Sequence, residues 1–162
     1  MKQLLLYVTI LFAVVTTKAE AQVRVNINIG SQPVWGPVGY DHVDYYYLPD
    51  IESYYYVPTR QFIYLSGGNW VFSSGLPPAY RTYNLYSGYK VVVNRPKAYI
   101  YHDTYRVKYK GYKGNKSQVI IRNSNDPRYY VVKGHPKYNG NGNNGNKSQG
   151  NNKGNSKGKG KN

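Results

Sequence analysis

The sequence predicts a mainly β protein: a small antiparallel sheet or meander with at most one short helix, followed by a disordered tail. Short runs of tyrosine, valine and isoleucine alternate with turns rich in glycine and proline. Tyrosine accounts for 21 of the 162 residues, and its large ring suits a small sheet with little aliphatic material. The last 24 residues contain no aromatic or aliphatic side chain, so nothing there offsets the entropy of ordering them.

The first 21 residues have the layout of a secretory signal peptide, which adds an N-terminal signal helix to the predicted fold. Lys2 gives a positive start, a mostly apolar run without charge follows at 4–15, and Ala19-Glu20-Ala21 places small side chains before a cleavage site. The apolar run is too short for a membrane anchor, since crossing a bilayer takes about 20 residues. We therefore predict an exported protein, located in the periplasm, the outer envelope or outside the cell, with no transmembrane span in the mature chain.

Residues 22–133 are predicted to form one tyrosine-rich β domain. Gln22–Ile29 alternates between apolar and polar side chains, as a strand with one wet face does. Three tyrosines followed by an aliphatic residue and proline occur at 45–49 and again at 54–58, which predicts two extended segments around a turn at 49–52. Gly67-Gly68-Asn69 predicts a second hairpin. Further predicted elements are a turn or short helix at 79–86 and strands at 90–94, 105–110, 118–122 and 128–133.

Basic residues concentrate in the second half of the chain. Residues 22–103 hold six basic and five acidic side chains, whereas residues 104–162 hold fourteen basic side chains and the single acidic residue Asp126. The Asn/Gly/Lys-rich segment 134–162 is predicted to be a disordered basic tail. Within 105–110, alternation in a strand places tyrosine and valine on one edge and basic residues on the other.

This asymmetry favours an acidic partner, recognised by long-range attraction. Outside the cytoplasm the candidates are lipopolysaccharide, anionic phospholipid, acidic polysaccharide and extracellular DNA. The alternative is that the lysines only keep the tail soluble. The first contacts to an anionic polymer or membrane surface are predicted to be Arg106, Lys108, Lys110, Lys113 and Lys116.

No motif in the chain predicts catalysis, a cofactor or a metal. The chain has no cysteine, which excludes disulfides, thiolate metal sites and a lipidated N-terminus. A metal site or an enzyme would require the cluster Asp41-His42 with Asp44 to meet His102-Asp103 in one pocket. The sequence contains no G-x-S-x-G elbow and no RNP-type signature, and the export signal makes intracellular nucleic acid an unexpected partner. We therefore expect a non-enzymatic interaction protein.

A carbohydrate-binding module is the alternative function. Aromatic rings lying flat on a sheet stack on sugars, and alternation along a strand turns about half of each tyrosine triplet outward. The predicted aromatic surface consists of Trp35, Tyr46, Tyr55 and Trp70. The other interpretation is that these rings cover a small core or an interface.

Several of these motifs occur together in a recognisable order between Gln22 and Gly114. They are Pro33-x-Trp35-Gly36-Pro37, the segment 45–52, Gly67-Gly68-x-Trp70-Val71, Leu76-Pro77-Pro78, the segment 86–92 and Lys110-Gly111-Tyr112-Lys113-Gly114. In this the chain resembles a family of small exported tyrosine-rich proteins of unknown function from Gram-negative bacteria. The resemblance implies a compact exported domain, and it brings no activity and no functional residues.

Overall fold

A computed structural model describes residues 27–140, and within them five strands form one antiparallel sheet. The strands are β1 Tyr45–Leu48, β2 Ser53–Tyr56, β3 Gln61–Ser66, β4 Asn69–Ser73 and β5 Val91–Val93. Their order is β4-β3-β2-β1-β5, so the first four form a meander and β5 is added beside β1. The predicted fold class, an antiparallel sheet with one short helix, is confirmed.

Both predicted hairpins are present. In the first, Tyr45 pairs with Tyr56 and Leu48 pairs with Ser53, so the turn covers 49–52 as expected. In the second, Ser66 pairs with Asn69, which leaves Gly67 and Gly68 as the whole connection. Their φ angles of 55° and 78° are those of a tight hairpin turn that matches the twist of the strands.

The sheet is covered on both faces. On one face, Tyr46, Tyr55 and Phe62 pack with Trp35 and neighbouring aliphatic residues. On the other face, Tyr45, Tyr47, Tyr54 and Ile63 pack with Ala98 and Tyr105. Because neither face is open to water, no residue of β1 or β2 is exposed.

The residues that pack on this second face of the sheet include the helix. The helix lies where the sequence predicted a strand. Helix α1 is His102–Lys108, preceded by a 3-10 turn at Ala98–Tyr101 and followed by another at Lys110–Tyr112. The strand predicted at 105–110 is therefore wrong. In the helix, Tyr105 faces the sheet and is 9 % exposed, whereas Val107 is 70 % exposed.

The predicted strands at 118–122 and 128–133 are also wrong. These segments contain 3-10 turns at Ile121–Asn123 and Pro127–Val131, and a single isolated bridge joins Ile120 to Pro37. The predicted turn or short helix at 79–86 contains a 3-10 turn at Pro78–Tyr80. The described end of the strand predicted at 22–29 is a 3-10 turn, Ile29–Ser31, while residues 22–26 lie outside the described residues.

The folded domain extends past residue 133, where the tail was expected to begin. His135 is 4 % exposed, and its Nε2 lies 3.1 Å from the carbonyl oxygen of Ser124. The backbone N–H of Asn139 donates to the carbonyl of Tyr130. The predicted signal peptide 1–21 and the tail beyond residue 140 lie outside the described residues. No helix within 27–140 has the length and apolar character needed to cross a bilayer.

Candidate functional site

The predicted aromatic surface is wrong for three of its four members. Trp35, Tyr46 and Tyr55 are 8 %, 0 % and 8 % exposed. The Trp35 ring packs edge-on against Tyr46 and Tyr55, with ring centroids 5.5 and 4.9 Å apart. Alternation does not turn these tyrosines outward because irregular segments cover both faces of the sheet. Trp70, on the edge strand β4, is half-buried.

The five predicted polyanion contacts are all exposed, but their arrangement differs from the predicted basic edge. Arg106 and Lys108 lie two positions apart in α1, so the helix turns them to different sides of its outer surface. The Nζ atom of Lys113 lies 2.6 Å from Glu52, and Arg106 lies 3.6 Å from Asp103. Within 27–140, no carboxylate oxygen lies within 4.0 Å of Lys108, Lys110 or Lys116.

Arg95 and Lys97 extend this group of cations, and the sequence analysis missed them. Both are exposed just before α1, and the Arg95 guanidinium lies 3.5 Å from the centre of the Tyr101 ring. We call residues 95–116 the basic segment: it carries seven exposed Lys and Arg side chains and one acidic residue, Asp103. Both cations are visible in the sequence, but counting charges separately on the two sides of residue 103 assigns them to the nearly neutral first half.

A groove crosses the surface at the start of α1. Two adjoining clefts, of about 390 and 420 Å³, share Leu65, His102 and Asp103, and we call them together the His102 groove. The first cleft lies between the β1–β2 turn, the Pro78–Tyr80 turn and α1, and the second extends to Trp70 and Ile100. Each volume falls in the range of small-molecule sites.

His102 is held in this groove by aromatic rings. Its imidazole centre lies 6.4, 6.0 and 5.4 Å from the ring centres of Tyr47, Tyr54 and Trp70. Its Nδ1 lies 3.3 Å from the hydroxyl of Tyr54. Burial lowers the pKa of His102 and raises the pKa of Tyr54, so both groups are neutral at neutral pH. The Tyr54 hydroxyl and Nδ1 therefore share a hydrogen bond between two neutral groups, and its direction follows the imidazole tautomer.

The two clusters that an enzyme or metal site would need are not brought together. His42 pairs with Asp44 at 3.0 Å, and Asp41 pairs with Arg128 at 2.8 Å. None of these residues lines the His102 groove. In the part of the chain that the structure describes, no group of three or more His, Asp or Glu side chains is placed to hold a metal ion.

Comparison with known proteins gives no match. This holds for family models, for curated proteins and for solved structures alike. The family resemblance of residues 22–114 therefore stays a prediction, and function rests on the geometry of the basic segment and the groove.

A buried lysine lies next to the sheet, and sequence reasoning treated it only as the start of a strand. Lys90 is 1 % exposed, and its Nζ has no hydrogen-bond partner in the described structure. Burial lowers its pKa to about 8, and Asp50 opposes this shift. The Gln118 amide binds both the N–H and the C=O of Lys90, which covers the free edge beside β5. Because the amine is enclosed, it affects the stability of the fold and is not an accessible site.

Proposed function

We propose that this chain is an exported, non-enzymatic interaction protein that contacts anionic polymers or anionic lipid surfaces of the cell envelope through its basic segment. Export rests on the sequence of residues 1–21. The observation that carries the binding role is the accumulation of seven exposed cations in 95–116, of which only Arg106 and Lys113 are paired with a carboxylate of the described residues.

The packing of α1 fixes where these charges lie. Tyr105 is buried against the sheet, and Tyr109 packs beside it with ring centroids 5.8 Å apart. The lysines on the outer side are therefore presented by a folded surface, and binding does not require the backbone to be ordered first. Five further lysines in the predicted tail, at 147–161, add charge to the same encounter.

Binding of this kind depends on salt. Exposed charges are screened over about 10 Å at 0.1 M salt, so attraction to a polymer or membrane surface weakens as salt rises. We expect residues 22–162 to bind vesicles containing anionic phospholipid, and lipopolysaccharide, at about 50 mM salt and to release them at about 500 mM salt. Vesicles of zwitterionic phospholipid alone are the reference, and binding that high salt leaves unchanged would refute the proposal.

A matched pair of variants separates the basic segment from net charge. The test variant changes Lys108, Lys110 and Lys116 to Gln, and the control changes Arg60, Arg81 and Lys133 to Gln. Each lysine near an anionic surface contributes about 1 kcal/mol, so the test variant is expected to lose about 100-fold in vesicle affinity. An equal loss in the control would show that only total charge matters.

The tail is tested separately. Changing its five lysines to Gln leaves the basic segment intact, and vesicle binding is expected to weaken but to persist. If this variant loses all binding while the Lys108/Lys110/Lys116 variant binds normally, the tail is the contact and the assignment to the basic segment is wrong.

A further inference from the structure

We infer that the His102 groove binds an uncharged saccharide of two or more rings, lying across Asp103 with one ring in each cleft. This site borders the lysines of the basic segment and shares Asp103 and Arg106 with it, but it differs from that segment in chemistry. No residue of the predicted aromatic surface except Trp70 belongs to it.

The charges around the groove balance. Glu52 is paired with Lys113, Asp103 lies 3.6 Å from Arg106, and His102 is held neutral by its burial. An anionic ligand would meet the carboxylates of Glu52 and Asp103, and a cationic ligand would meet Arg106. The groove thus favours a ligand without net charge, although the surface beside it is basic.

The lining has the two kinds of surface that a sugar presents. Leu65, Ile100 and Tyr80 are 48 %, 56 % and 42 % exposed, and they offer apolar contact for the C–H faces of sugar rings. Asp103 accepts hydrogen bonds, Arg106 donates them, and His102 adds a polar imidazole to the lining. A sugar hydroxyl both donates and accepts, so it satisfies both kinds of group. A purely apolar ligand would displace water from the Asp103 and Arg106 charges without offering them hydrogen bonds.

The groove is also ordered before any ligand arrives. The Tyr54 hydroxyl holds the imidazole of His102 by a hydrogen bond to Nδ1, and the rings of Tyr47, Tyr54 and Trp70 pack around the imidazole. Leu65 and Trp70 face each other as a cross-strand pair of the β3–β4 hairpin. A preformed wall lowers the cost of binding a flexible saccharide.

The test uses residues 22–162 at about 500 mM salt, which screens the basic segment. The probes are cellotetraose, maltotetraose, xylotetraose and chitotetraose, added to about 10 mM and followed by calorimetry and tryptophan fluorescence. Only two tryptophans are present in the chain, and Trp35 is buried, so a fluorescence change on binding reports Trp70 in the groove. We expect at least one tetrasaccharide to bind. No binding by any of the four would overturn the inference.

Matched variants locate the site. Asp103→Asn and Tyr80→Ala are each expected to weaken binding about tenfold, because one charged hydrogen-bond acceptor or one ring is lost. Asp41→Asn and Tyr86→Ala are the controls: they lie outside the groove lining, and Tyr86 is as exposed as Tyr80, at 42 %. All four positions are on the surface, so the fold is expected to survive, as circular dichroism will check. Equal losses in the controls would refute the groove as the site.

This test is independent of the proposed function. The Lys108/Lys110/Lys116 variant is expected to keep saccharide binding, and the Asp103→Asn variant is expected to keep vesicle binding. Failure of one activity with retention of the other therefore identifies which proposal is wrong.

Discussion

Replacing Lys90 by methionine is expected to stabilise the domain, with a gain that depends on pH. The lysine side chain is almost fully enclosed, and its Nζ has no hydrogen-bond partner among the described residues. Burial lowers its pKa from the ordinary value of 10.5 to about 8. Methionine is also unbranched and flexible, is one heavy atom shorter than lysine, and carries no charge.

The size of the effect follows from the two pKa values. At pH 7 the amine is protonated in both the folded and the unfolded state, and burying that charge costs about 3 kcal/mol at 1.36 kcal/mol per pKa unit. The folded pKa lies below the unfolded one, so the cost is complete below pH 8 and fades as the pH rises toward 10.5. Lys90→Met is therefore expected to exceed the wild type by up to about 3 kcal/mol at pH 7 and by about 1 kcal/mol at pH 9.5.

Urea unfolding followed by tryptophan fluorescence, repeated between pH 6 and pH 9.5, measures this difference. Comparing the two proteins at each pH removes the contribution of the tyrosines, which both proteins share. The control is Lys133→Met, an exposed position where the change is expected to stay within about 0.5 kcal/mol. A variant less stable than the wild type at pH 7, or a difference that does not change with pH, would refute the burial of an unpaired ammonium.

Three further predictions concern the packing of tyrosine. Gly88→Ala adds a Cβ that overlaps the Tyr83 hydroxyl, so we expect a loss of about 2–3 kcal/mol in urea unfolding, with the open position Gly75→Ala as a near-neutral control. Tyr46→Phe removes the buried donor to Gln32 and is expected to cost about 1–3 kcal/mol in the same assay, whereas Tyr86→Phe on the surface changes little. Burial raises the pKa of Tyr47 to about 12, so its contribution to stability is complete below pH 10 and is lost as the pH rises from 10 through 12. Absorbance at 295 nm should therefore show the buried phenols ionising only on alkaline unfolding; their ionisation near pH 10 in a folded protein would contradict the burial.

The hairpins were predictable because their signals are local. Two adjacent glycines fix the β3–β4 turn, and each tyrosine triplet favours an extended backbone next to it. The helix was missed because two periodicities overlap in the same segment. Tyr101, Tyr105 and Tyr109 are spaced by four, as on one face of a helix, but Val107 also completes a period-two pattern. In the structure Val107 is the exposed residue, and the spacing of four is the one that packing uses.

The sequence of β1 does indicate that the tyrosines of the predicted aromatic surface are buried. β1 reads Tyr-Tyr-Tyr-Leu without any polar residue, and an unbroken run of this kind is typical of a strand buried on both faces. What the sequence does not reveal is which segments provide the two covers. The His102 groove could not be predicted from the sequence, because its wall combines residues from four separate stretches: 51–53, 64–70, 77–80 and 100–106. No spacing rule connects those segments, and only the tertiary fold places them side by side.

The prevalence of tyrosine over phenylalanine has a structural reason in this chain. The covers of the sheet contain few regular backbone ladders, and no cysteine is present to cross-link them. A phenol packs its ring like phenylalanine while its hydroxyl reaches a polar group on another segment. Four such bonds join positions at least 14 residues apart: Tyr46 to Gln32, Tyr54 to His102, Tyr83 to Asp50 and Tyr129 to Gly39. One of these four orients the imidazole in the groove. The Tyr54–His102 bond, which holds the helix against the sheet, thus also shapes the wall on which we propose that a saccharide binds.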